Sequence, residues 1–149
     1  MVATRFAVAI HILLLLATEP GGQATSGRLA DSVGTNPVVI RRLAGQLARA
    51  GLIRIRRGPG GAELARPAAE ITLAEIWQAM RRNGLPLLPI HRGPNNGPNN
   101  GPNNGDAIGR GAPALLREVF DAAEAALESR LAGVTVDDLC RQLAAAQAT

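Results

Sequence analysis

Lysine and tyrosine are absent from this 149-residue chain, and cysteine, tryptophan, phenylalanine and histidine number only one, one, two and two. A lone thiol, Cys140, cannot close an intramolecular disulfide, which points to a reducing, cytoplasmic setting. Two isolated histidines and three serines, with no glycine-rich phosphate loop, leave neither a nucleophile–base pair nor a metal-ligand set at recognisable spacing. An enzyme is therefore not expected, and neither is a bound metal or cofactor. No apolar run reaches the roughly 20 residues of a membrane-spanning helix. The longest, within residues 5–17, is stopped by Glu19-Pro20-Gly21-Gly22. A basic residue ahead of an apolar stretch also fits a signal peptide, but His11 interrupts the stretch and the remainder reads as an intracellular module. A helix apolar nearly all round is expected to be buried on more than one side, in the core and against a second copy.

What the chain has is charge placed unevenly. The net charge is +4. Residues 1–67 carry nine arginines against Glu19, Asp31 and Glu63, whereas residues 113–149 carry three arginines against six carboxylates. A basic front half suits a polyanion, and an acidic back half suits a separate region for self-association. All sixteen basic residues are arginine. A GC-rich genome gives the same bias, so the choice of arginine carries little weight, although its fork does suit phosphate and guanine.

The chain is organised around residues 24–66, which read as helix, tight turn, helix and basic hairpin. Asn36 is a good N-cap and Pro37 fits the first helical position, where an N–H would have no partner. Val39, Ile40, Leu43, Leu47 and Ala50 recur at helical spacing, which leaves Val38, Arg41, Arg42, Gly45 and Arg49 outward. Before this helix, Thr25 or Ser26 caps a supporting helix, from about Ser26 to Val33, and offers a hydroxyl or N–H to a phosphate. After it, Ile53 and Ile55 alternate with Arg54 and Arg56, and Gly58-Pro59-Gly60-Gly61 turns the strand back. The expected fold is mainly α with a small β-hairpin wing: a winged helix-turn-helix followed by a long dimerisation helix. The expected DNA-contacting set is Thr25, Ser26, Arg28, Thr35, Asn36, Pro37, Val38, Arg41, Arg42, Arg54, Arg56, Arg57, Gly58, Pro59 and Gly60.

Gly34-Thr35-Asn36-Pro37-Val38-Val39-Ile40-Arg41-Arg42-Leu43, with Ala50-Gly51-Leu52-Ile53, Arg57-Gly58-Pro59-Gly60-Gly61, Leu64-Ala65-Arg66-Pro67 and Ile71-Thr72-Leu73, resembles the BadM/Rrf-type bacterial transcription regulators. The match runs from Thr4 to about Leu139, interrupted near residues 92–112. The resemblance implies a sequence-specific DNA-binding regulator, a homodimeric repressor on an inverted-repeat operator. Sensing members of that family carry cysteines in the region of residues 93–105, commonly before a Pro-Val-Gly-like sequence; this chain reads Asp106-Ala107-Ile108-Gly109 instead and His91 stands alone, so an iron–sulfur centre or a zinc site lacks its ligands here.

Beyond the wing, Thr72 and Glu75 form a capping box for a helix to about Arg82, on which Trp77 reads as core packing. Residues 93–104 are three successive copies of Gly-Pro-Asn-Asn. Proline and glycine at every fourth position forbid helix and sheet, so a solvated linker is expected. Pro113 is read as opening a helix to about Leu131, with Leu116, Val119, Phe120, Ala123, Leu127 and Leu131 along one stripe close to a heptad seam. Some 19 residues would reach about 28 Å, longer than such a module needs for its own core, so the stripe is expected to pair with a second copy. A last helix follows Thr135 and carries Cys140. The divisions are 1–83 for DNA binding, 84–112 for the loop and 113–149 for dimerisation. The expected partners are double-stranded DNA and a second copy, not a membrane; the sequence names no small-molecule effector, although it bars none. The rival reading is a winged-helix protein-interaction module without DNA binding, against which the basic outward face from Arg41 to Arg57 argues.

Overall fold

The computed structural model describes residues 2–58, 60–81, 86–90 and 106–148. Pro59, His91 and the Gly-Pro-Asn-Asn repeats lie outside the described residues. The chain forms two units, residues 1–82 with 130–149, and residues 83–129.

In the first unit, helix α1 (Val2–Thr18) buries Phe6, Ala9, Ile12, Leu13 and Leu16. His11 is not isolated on it, because its Nε2 lies 2.9 Å from Ser32 Oγ. A two-residue strand, β1 (Gln23–Ala24), leads into α2 (Ser26–Val33), which Thr25 caps by accepting the Arg28 N–H at 3.1 Å. Gly34, at φ 84°, ends α2 in the left-handed conformation that side chains avoid. Helix α3 (Pro37–Arg49) starts as its sequence dictates, with Asn36 Oδ1 accepting the Val39 N–H at 3.1 Å. Ile40, Leu43, Ala44 and Leu47 face inward, but Ala50 does not. It is the C-cap, where the chain turns away through Gly51 and the helical register no longer sets its direction.

The wing strands are β2 (Ile53–Ile55) and β3 (Ala62–Leu64), paired Ile53 to Leu64, Arg54 to Glu63 and Ile55 to Ala62. The wing has a third strand that the hairpin reading lacks, since β1 pairs with β3 to give the order β1-β3-β2. Gly61 lets it form. A Cβ at this position would stand 2.1 Å from the carbonyl oxygen of Ala24. Ile53 is buried as expected, whereas Ile55 is 53% exposed, because this end of the strand runs past the core.

Helix α4 (Leu73–Met80) carries the expected capping box, Thr72 with Glu75, and stops short of Arg82 because Arg81 is already extended. Trp77 is core, its ring 5.1 Å from that of Phe6. Helix α6 (Val136–Gln147) begins with a second capping box, Thr135 with Asp138. The two boxes are tied: Thr72 and Thr135 form an antiparallel bridge, the Leu73 N–H donates to the Val134 carbonyl, and the Val136 N–H donates to the Ile71 carbonyl, both at 2.9 Å. Fully buried side chains from Ile12 to Val136 make one core from α1, α3, α4 and the start of α6.

Helix α5 (Ala107–Ala132) starts earlier than the sequence reading places it. Pro113 lies inside the helix, not at its start. Asp106 Oδ1 accepts the Gly109 N–H at 2.7 Å and so supplies a cap upstream. Proline then removes only the one backbone bond to the carbonyl four residues earlier. The loop assigned to 84–112 therefore ends before Ala107. Likewise 113–149 is not one region, because α6 belongs with the winged helix and contacts α1. Within the second unit the Leu88 N–H donates to Glu124 Oε1 at 3.0 Å.

Candidate nucleic-acid interface

The start of α2, the first two turns of α3 and the wing enclose one cleft of about 490 Å³. Thr25, Ser26, Arg41, Ile55, Arg56 and Gly58 are among its lining residues. Five of the residues singled out from sequence thus meet in one place, three segments of chain apart. The cleft floor is apolar, from Leu29, Ile40, Ala44 and Ala62, and its rim carries the hydroxyls and guanidinium groups. Such a concavity, basic at the rim, presents donors to an anionic backbone without a buried charge to desolvate.

The arginines divide by partner. Arg41 and Arg42 on α3 and Arg57 on the wing are exposed and have no ion-pair partner among the described residues. Arg28 grips Glu19 with two bonds of 3.1 and 3.2 Å, and so turns part of its fork inward. Arg54 and Arg56 both bear on Glu63, at 3.4 and 3.1 Å. The hydrogen bond from Arg56 dominates in holding the Glu63 carboxyl below its ordinary range, and the charge of Arg54 and the amide of Gln23 add to it. One carboxylate is therefore shared between two wing arginines, whose net charge is lower than the sequence implies. The sequence counts Glu63 only as one acidic residue among the basic ones, although the register that sets Arg54 opposite it follows from a short hairpin.

The remaining candidates have local duties. The Thr35 N–H donates to the Ala30 carbonyl at 3.1 Å, Asn36 caps α3, and Pro37 is its first residue. Gly60 sits against the stem of Arg56, where a Cβ would come within 3.2 Å. Val38 is 58% exposed at the second position of α3. Ser26 lines the cleft, and its hydroxyl has no partner among the described residues.

Cys140 is a half-buried thiol. Burial, with the neighbouring charge of Asp137, pushes its pKa up, away from the thiolate that redox or metal chemistry requires. No group of three histidine, cysteine or acidic side chains that could hold a metal ion occurs among the described residues. With a single cysteine in the whole chain, the donor set does not fit a cysteine-ligated iron–sulfur cluster. Among the described residues, no helix is long and apolar enough to cross a membrane.

Comparison with known proteins accounts for this arrangement. Residues 2–142 match the model of the Rrf2 family, described as an iron-dependent transcriptional regulator. The chain is 34% identical over 143 residues to YwnA, an HTH-type transcriptional regulator of Bacillus subtilis (strain 168), across 96% of this chain and 99% of that one. A crystal structure described as that of a DNA-binding protein superposes with a TM-score of 0.69 at 32% identity, over 91% of this chain and 97% of the other. A transcriptional regulator from Lactobacillus plantarum, at 23% identity, shares the fold with a TM-score of 0.75 over 96% and 91% of the two chains. The chain thus belongs to the Rrf2 family of transcriptional regulators, as a DNA-binding winged-helix member without the cysteines of an iron–sulfur centre.

Proposed function

We propose that the protein is a cytoplasmic, homodimeric repressor that binds an inverted-repeat operator, with α3 in the major groove and the wing along the adjacent backbone. One observation carries the reading: Arg41 and Arg42 stand exposed and unpaired on the outer face of α3, and Arg41 shares its cleft with Thr25 and Ser26 of α2 and Arg56 of the wing. A helix entering a groove N-terminus first brings Val38 and Arg41 to base edges and leaves wing arginines at phosphates. The second copy is supported by α5, on which no residue is buried and Leu115 and Val119 are 67% and 60% exposed. Its 26 residues reach about 39 Å. The stripe of Leu116, Val119, Phe120, Ala123, Leu127 and Leu131 is the face proposed to pair. Two half-sites then lie one or two helical turns apart.

The test compares two arginines on specific and random duplexes across a salt series. Arg41→Ala removes a bidentate contact to guanine and should lower affinity by about 1–3 kcal/mol on the preferred site alone. Arg57→Ala, an unpaired wing charge, should weaken binding alike on both duplexes and reduce the slope of log affinity against log salt by about one unit. Equal losses on both duplexes for Arg41→Ala would show that α3 does not read the sequence.

A further inference from the structure

We propose that Val38 reads sequence by selecting a thymine through its 5-methyl group, and that this thymine lies within two base pairs of the guanine held by Arg41. The proposal rests on the reading of α3 as the helix that enters the groove. Val38 is 58% exposed, while Val39 beside it is half-buried and Ile40 is wholly buried. A valine so solvated adds nothing to the core. Its position at the second residue of α3, inside the turn that Asn36 caps, gives it helical backbone. Branching at Cβ leaves essentially one rotamer in a helix, so the two methyl groups project in a set direction.

The chemistry of the groove then selects the base. Valine has no donor or acceptor, and the thymine 5-methyl group is the only apolar feature that base edges present in the major groove. The polar side chain next to it does not compete strongly, because Asn36 Oδ1 is committed to the Val39 N–H. Arg41 follows three residues later on the same face, about 4.5 Å along the helix axis. Base pairs stack about 3.4 Å apart. Two side chains at that separation meet base pairs one or two steps apart, so each half-site should pair a guanine with a nearby thymine.

The experiment uses the full chain and duplexes enriched from a random pool by successive rounds of binding. Each thymine of the enriched half-site is replaced singly by deoxyuridine, which deletes the methyl group and leaves every hydrogen-bonding atom. The expected result is a loss of about fourfold in affinity, the worth of one buried methyl, at one thymine within two base pairs of the guanine whose replacement Arg41→Ala tolerates. With Val38→Ala that discrimination should fall to unity, whereas Val38→Ile should retain it. Wild-type protein binding uracil and thymine equally at every position would overturn the proposal, as would discrimination that survives in Val38→Ala. If no duplex is enriched at all, the reading of α3 itself fails, and this inference falls with it.

Discussion

Replacing Gly61 by alanine isolates the contact that converts a hairpin into a three-stranded wing. Two glycines flanking the wing tip are conformationally alike, Gly58 at φ 83° and Gly61 at φ 71°. They differ in what surrounds them. A Cβ on Gly58 would meet nothing within 4 Å, whereas a Cβ on Gly61 would stand 2.1 Å from Ala24 O, 2.5 Å from Ala24 C and 2.8 Å from Thr25 Cα. Alanine at either position pays the left-handed penalty of about 1–2 kcal/mol, partly offset by a stiffer unfolded chain. Only at position 61 must backbone also retreat from backbone, by more than 1 Å before ordinary contact is restored. That retreat loosens the pairing of Gln23 with Glu63 and of Ala24 with Ala62, at about 0.5–1.5 kcal/mol for each hydrogen bond weakened. Gly61→Ala should therefore cost about 2–4 kcal/mol against about 1 for Gly58→Ala, and at this chain length each kcal/mol lowers Tm by about 2–4 °C. Urea and thermal unfolding of the two variants side by side make the measurement. If they agree within about 0.5 kcal/mol, the close approach of Gly61 to Ala24 does not govern the wing.

Two further outcomes follow from the helices. Aspartate at Leu127 and Leu131 should convert a dimer into monomers or insoluble chains, read by sedimentation; wild-type protein that sediments as a monomer at micromolar concentration would refute the pairing of α5. Stability should fall in acid, because hydrogen bonding to Arg66 holds the Glu75 carboxyl below its ordinary range and the Thr135 N–H does the same for Asp138. The unfolded chain takes up these protons first as pH falls, so the stabilisation is complete at neutral pH and is lost on descent through the folded-state values. Glu75→Gln should accordingly lower Tm at neutral pH, by a margin that shrinks as the pH falls through the lowered carboxyl range; an equal loss at neutral and acid pH would contradict the assignment.

Where a side chain bonds its own neighbouring backbone, the sequence is a faithful guide. Asn36 with Pro37, Thr72 with Glu75 and Thr135 with Asp138 each act within one helical turn, and all three helix starts stand where those residues place them. The apolar spacing of α3 is equally legible until the helix ends, which is why Ala50 departs from it. Contacts between distant segments are not written locally. Strand β1 is two residues long and has no periodicity to read, and its existence depends on a glycine thirty-seven positions after Ala24. Ile55 follows the alternation of a buried strand, yet it lines the cleft beside Arg41 because the core has ended beneath it. The candidate interface was readable as a list of basic and turn residues. The division of its arginines into free and engaged was not, since that depends on Glu19 and Glu63 arriving from elsewhere in the chain.

The bridge between Thr72 and Thr135 bears on how such a chain can change over generations. Residues 83–129 form a unit of their own, and the chain leaves the winged helix after α4 and re-enters it at a point hydrogen-bonded to the start of that same helix. In connectivity this is an insertion between α4 and α6, and the chain that returns from it is held by the host. Closing a longer excursion between fixed roots costs only about 0.6 kcal/mol for each doubling of its length. A tetrapeptide repeated in tandem is the kind of tract whose copy number drifts. Repeats can thus be gained or lost ahead of α5 while the cleft, the wing and the core keep the same neighbours.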